Sequence, residues 1–190
     1  MSDTPEPAPT PTPAARPEPA ATPEPAARPE PAPAQARSRA PAVQYWYLWT
    51  DAQGVSHQRR CQLSHFEFAS IQPSAAPQWQ GPRHSGPMSA LITVLPVGWI
   101  GEWHENPRPQ WIVPLSGRWF VESMDGTCTE MGPGELSFGA DQGCRERDGR
   151  RGHRSGTLGQ EPAVLMLVQL EPLEPLEPPQ PAGTAQCPWT

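Results

Sequence analysis

Residues 98–117 read GWIGEWHENPRPQWIVPLSG. In the first part Trp99, Gly101 and Trp103 alternate with Ile100, Glu102 and His104. A period of two places alternate side chains on opposite faces of an extended strand. Asn106-Pro107-Arg108-Pro109 then interrupts the pattern. Each proline fixes φ near −65° and removes a backbone donor, so the segment reads as a stiff turn. Strand character returns at Trp111 in WIVPL and stops at Ser116-Gly117. Two strands joined by such a turn run antiparallel, and residues near their ends face one another. On this reading His104, Gln110 and the turn lie at one end of a β-pair.

The same grammar continues on both sides. Residues 43–50 (VQYWYLWT) form an aromatic-rich strand, closed by Asp51-Ala52-Gln53-Gly54. Residues 89–96 (SALITVLP) are a buried-strand run, and residues 118–123 (RWFVES) alternate up to Asp125-Gly126, a strong hairpin signal. Residues 136–140 and 163–170 (AVLMLVQL) complete seven or more strands. A spacing of about 8–12 residues suggests a sandwich or barrel. Residues 61–71 (CQLSHFEFASI) fit a helix or a strand equally well. Gly126 is expected at positive φ.

Composition separates this middle from the ends. Of 29 prolines in 190 residues, 13 fall in residues 1–42 and 6 in residues 171–190. Residues 17–32 repeat Pro-Glu-Pro-Ala, and residues 170–178 read LEPLEPLEP. Such segments cannot build a packed core and are expected to be disordered, polyproline II-like spacers. The expected organisation is a disordered arm at 1–42, one β-domain at 43–170 and a disordered tail at 171–190. A domain of that size buries a core without staples.

The net charge is −6, all 14 basic residues are arginine, and there is no lysine. The missing basic excess argues against a nucleic-acid partner. The missing lysine excludes a Schiff base or a P-loop lysine. No apolar run approaches the roughly 18 residues a membrane span needs, so no membrane partner is expected. MSDTPEPAPT lacks a basic start and an apolar run, so no signal peptide is read there. Cys61, Cys128, Cys144 and Cys187 contain no C-x-x-C spacing and read as ordinary thiols of a cytoplasmic protein, with one disulfide left open that no spacing supports.

Residues 98–117 resemble the first conserved motif of the cupin superfamily: Gly, five residues, His, one residue, His, three or four residues, Glu, six residues, Gly. Gly98, His104 and Gly117 match it. Asn106 stands at the second histidine position and Gln110 at the glutamate position. Pro133-Gly134-Glu135 resembles the opening of the second motif, and His153 is its candidate histidine after an extra loop near residues 143–148. The closest resemblance is to small single-domain bacterial cupins of undefined activity, over about residues 45–170. It implies an all-β, cupin-type jelly-roll barrel with a small-molecule pocket in its mouth, and a homodimer by family analogy.

The resemblance also implies a metal set, here His104, Gln110 and His153. Fe, Mn, Ni and Zn are the divalent ions such sites take. Two neutral amides are far weaker ligands than an imidazole and a carboxylate. The expected function is therefore binding of a small polar or anionic molecule, with a degraded metal site and little or no catalysis. The alternative is a metal-dependent oxygenase or isomerase using His104, Gln110 and His153. The expected ligand-binding residues are His104, Gln110, Arg108, Trp103 and His153. Arginine suits carboxylate and phosphate bidentately, and the run RERDGRRGHR at 145–154 carries five of them. Cys144 sits among these arginines, which favour a thiolate. His57, His65 and His84 show no ligand spacing.

Overall fold

Eleven strands carry the chain in the computed structural model, which describes residues 39–171 and 186–189. They are β1 (Val43–Thr50), β2 (Ser56–Leu63), β3 (Glu67–Ala69), β4 (Gln78–Gln80), β5 (Met88–Leu95) and β6 (Gln110–Ser116), followed by β7 (Arg118–Ser123), β8 (Cys128–Met131), β9 (Ser137–Ala140), β10 (His153–Leu158) and β11 (Ala163–Leu170). The Pro-rich arms read from sequence lie outside the described residues, apart from residues 39–42, 171 and 186–189.

A six-stranded sheet has the order β2-β1-β9-β6-β11-β5, and a three-stranded sheet has the order β10-β7-β8. A small hairpin pairs β3 with β4. All pairings are antiparallel except β1 with β9. Apart from the β1–β2 and β7–β8 hairpins, neighbouring strands in the two larger sheets are distant in sequence, as expected of a double-sheet jelly roll.

Strand parity sorts the side chains. Leu48, Leu95, Ile112 and Leu165 of the large sheet meet Trp119, Val121 and Met131 of the small one. This is the layer between the sheets, and each large side chain buried there contributes about 1.5–3 kcal/mol. The opposite face of the large sheet carries a second cluster built on Tyr45, Cys61, Phe138 and Leu170. Trp189 caps it, with its ring 5.7 Å from Trp111 and 5.5 Å from Phe138. Burial in this cluster pushes the Tyr45 phenol up to about 12.

Residues 61–71 take the strand alternative: β2 ends at Leu63 and β3 follows at Glu67. Two sequence readings need correction. Residues 99–104 form no continuous strand; single bridges at Ile100–Gly156 and His104–His153 hold them to β10. Cys61 and Cys187 are not thiols but a disulfide, with Cα atoms 5.8 Å apart. Cys61 lies on the outer face of β2 and Cys187 packs onto the same cluster, which brings them together. Gly117 and Gly126 take positive φ, at 69° and 85°.

The disulfide spans 126 residues of sequence. Closing so long a loop restrains the unfolded chain, so its reduction is expected to cost about 2–4 kcal/mol. Denaturant unfolding with and without dithiothreitol measures this. An unchanged midpoint would contradict it.

Candidate functional site

The segment between β5 and β6 is zipped to β10 by backbone bonds. Gly101 N–H donates to Ser155 O at 2.9 Å, and Thr157 N–H donates to Trp99 O at 2.9 Å. His104 and His153 exchange both backbone bonds, at 2.9 and 2.8 Å. Their rings follow, with centroids 4.5 Å apart. The match depends on Gly152, which has φ +80° and lies against the His104 carbonyl, where a Cβ has no room.

Behind the ring pair runs a buried chain of side-chain bonds. His153 Nδ1 lies 2.7 Å from Asp141 Oδ2. Asp141 follows β9 directly and is fully buried. Its Oδ1 accepts the Asn106 backbone N–H at 2.9 Å and Asn106 Nδ2–H at 2.7 Å. Asn106 Oδ1 accepts Gln110 Nε2–H at 2.5 Å, and Gln110 Oε1 accepts Gln169 Nε2–H at 3.0 Å. Gly139 of β9 lies under the Asn106 amide, so a larger residue there would displace it. Burial alone would raise the Asp141 pKa. The His153 charge and the bonds from His153 and Asn106 outweigh it and hold the carboxyl below its ordinary value.

A carboxylate only accepts, so His153 carries its proton on Nδ1 and turns Nε2 away from the chain. His104 does the same, because its Nδ1 donates to Glu102 O at 2.8 Å. His153 is buried and His104 is exposed. Two imidazole Nε2 atoms are therefore what the site offers a visitor.

Sequence reasoning named His104, Gln110 and His153 as one set. The structure places the two histidines side by side and joins Gln110 to them through Asn106 and Asp141. Gln110 is buried and bonded at both ends of its amide, so it serves the chain of bonds rather than a ligand. Asn106, at the second histidine position of the motif, is buried as well. Trp103 stands beside His104 and carries two guanidinium groups over its ring, Arg150 at 5.3 Å and Arg154 at 5.6 Å. Arg154 also pairs with Glu122 at 2.5 Å. Arg108, expected in the pocket, instead forms an exposed ion pair with Glu171. Proline on both sides fixes that turn, and it aims the side chain at the end of β11.

The arginine loop holds itself in place. Arg147 and Arg150 exchange backbone bonds at 2.9 Å around Asp148 and Gly149, both at positive φ. Arg151 pairs with Glu105 at 2.8 Å, and the other Glu105 oxygen accepts the Cys144 N–H at 2.6 Å. Arginines do not activate Cys144. Its thiol is buried and packs on Thr50, and burial pushes it up to about 11.

A cupin-type metal needs three imidazoles and a carboxylate around one point. Here the amide oxygens and Asp141 are spent on one another. Among the described residues no group of three or more His, Cys, Asp or Glu side chains is placed to hold an ion. The donor set does not fit a resident catalytic metal.

Two residues of consequence were invisible as site candidates. Asp141 occupies no motif position, although an ionisable residue directly after the strand run 136–140 is a signal that can be read. His57, assigned nothing, bridges two carboxylates: Nε2 to Asp51 at 2.9 Å and Nδ1 to Asp125 at 2.8 Å. It thereby ties the β1–β2 turn to the β7–β8 turn.

Asp51 and Asp125 are also held low. In each, burial raises the pKa, and hydrogen bonds outweigh it: from the Val55 and Gln53 N–H groups and His57 for Asp51, and from Ser123, Thr127 and His57 for Asp125. A depressed carboxylate contributes stability above its unfolded pKa of about 4 and loses it as pH falls through the folded value. The melting temperature is therefore expected to be insensitive to these three groups above pH about 5 and to fall steeply below about 4. A flat profile down to pH about 2.5 would contradict the assignment.

No family model and no curated protein matches the chain. Solved structures similar to it include protein NMB1881 from Neisseria meningitidis, 18% identical with a TM-score of 0.36, covering 47% of this chain and 79% of that one. The cupin domain of Schizosaccharomyces pombe Cnp3 is 14% identical with a TM-score of 0.33, covering 73% and 88%. A cupin 2 conserved barrel domain protein from Leptotrichia buccalis is 9% identical with a TM-score of 0.32, covering 67% and 73%. By its own two larger sheets and their strand order, the described part of the chain is an all-β, double-sheet jelly-roll-like fold.

Proposed function

We propose that this cupin-fold protein binds a small anionic molecule at the mouth beside His104 and His153, with little or no catalysis. The observation that carries the reading is the closed bond chain Gln169–Gln110–Asn106–Asp141–His153. It consumes the amides and the carboxylate that would face a metal, and it leaves two imidazoles. Arg150 supplies the cation, laid over Trp103 without a carboxylate partner among the described residues. The guanidinium pairs with the anion's charge, and the two Nε2 atoms, as acceptors, take its hydroxyl or acid protons. Cytoplasmic residence would leave Cys61 and Cys187 as thiols, so the disulfide argues against it.

The test is calorimetric titration of the full chain with inorganic phosphate and with citrate. His104→Ala and Arg150→Ala are each expected to weaken binding of the better probe about tenfold, or about 1.4 kcal/mol. Equal binding by both variants, or no binding of either anion, would overturn the proposal.

A further inference from the structure

Along β6, Trp111 and Val113 alternate with Ile112, which lies in the layer between the sheets, so the two face outward. With Val43, Leu63, Phe66 and Leu136 they line an apolar chamber of about 390 Å³ on the outer face of the large sheet. Gly81, Pro82 and His84, which follow β4, and Trp189 complete its wall. Gly81, Pro82 and Trp189 also border a second, polar hollow that includes His65, Glu67, Gln80 and Arg83. Trp189 is held there by the bond from Cys187 to Cys61 of β2. Arg83 donates to Gln80 Oε1 at 3.1 Å and has no carboxylate partner among the described residues. Two ring nitrogens of the chamber wall, His84 Nε2 and Trp189 Nε1, are buried without a hydrogen-bond partner among the described residues. Native proteins pair nearly all buried polar atoms, so two orphans in one cavity wall point to a partner that comes from outside.

We propose that this cavity binds a free amphipathic carboxylic acid, with its aliphatic chain in the apolar chamber and its carboxylate at the shared wall, on Arg83. The volume sets the size. At roughly 30 Å³ for each water-sized group, the chamber holds on the order of a dozen heavy atoms, the size of decanoate. An apolar lining with a few polar groups gathered at one end is the usual make-up of a small-molecule site. The charge sets the head group. Arg83 offers a planar fork that a carboxylate satisfies with two parallel bonds. Trp189 Nε1–H only donates, so it takes an oxygen acceptor and not an ammonium. Glu67 is the opposing charge in the polar hollow, which places the head group on the Arg83 side. None of these residues belongs to the mouth beside His104 and His153. Because the Cys61–Cys187 bond holds Trp189 in the wall, the site also depends on the oxidised state of that pair.

Calorimetric titration of the oxidised full chain with decanoate, kept below the concentration at which it forms micelles, is expected to show saturable binding. Decanol and decylamine are expected to bind about tenfold more weakly or worse. Arg83 is exposed, so Arg83→Gln keeps the fold; it is expected to weaken decanoate about tenfold and to leave decanol unchanged. Trp189→Ala, and reduction of the disulfide to two thiols by dithiothreitol, which is itself oxidised to its cyclic disulfide, are each expected to weaken decanoate and decanol alike. Circular dichroism confirms the fold in both, and Trp189→Ala tests the wall even where the reduced chain unfolds. His104→Ala is expected to leave decanoate binding unchanged, which separates this site from the one beside His153. No saturable binding, equal binding of the three probes, an unchanged decanoate Kd in Arg83→Gln or Trp189→Ala, or loss of binding in His104→Ala would each overturn the proposal.

Discussion

Asp141→Ala is expected to destabilise the protein by about 3–5 kcal/mol, the cost of breaking a buried charged pair by deleting one partner. The side chain is fully buried and accepts from Asn106 N–H, Asn106 Nδ2–H and His153 Nδ1. Truncation strands three donors in a space water reaches poorly, and each stranded group costs about 1–3 kcal/mol. Asp141→Asn keeps the shape and one acceptor, so it should cost clearly less. Denaturant unfolding of the three proteins measures both differences. A loss under about 1 kcal/mol in the alanine variant would mean the bond chain contributes little.

Gly152→Val is expected to cost as much, about 4 kcal/mol or more, by a different route. At φ +80° a β-branched residue is strained by about 1–3 kcal/mol. In addition, its Cβ would lie inside the His104 carbonyl, a backbone atom that cannot swing aside. The strand start at His153 must move, and with it the ring pair. Gly126→Val meets open space, so it bears the strain alone, about 1 kcal/mol or more. Equal midpoints for the two variants would contradict the close approach at Gly152.

The strands that line the core were legible because their periodicity is strong. Residues 43–50 and 163–170 appear with the bounds read from sequence, and the Asp125-Gly126 turn closes β7 onto β8. What was not legible depends on contacts between distant segments. The alternation at 99–104 is real, yet tertiary bonds to β10 hold those residues as single bridges, not as a strand. The Cys61–Cys187 bond joins residues far apart in sequence, and no spacing announces it. At the site, the spacing of His104, Asn106, Gln110 and His153 pointed to one neighbourhood. Their roles needed Asp141, whose bonds turn two of the four into support and aim the third. Arg108 was misread because sequence shows that a turn is stiff but not which way it points.

Metal analysis of the full chain, purified without chelator and without an affinity tag that binds metal, tests the central claim most directly. With its amides and Asp141 consumed by one another, the site is predicted to retain well under one-tenth of an equivalent of Fe, Mn, Ni or Zn. About one equivalent of metal, lost on His104→Ala or His153→Ala, would contradict the account and restore a metal centre to the mouth of the barrel.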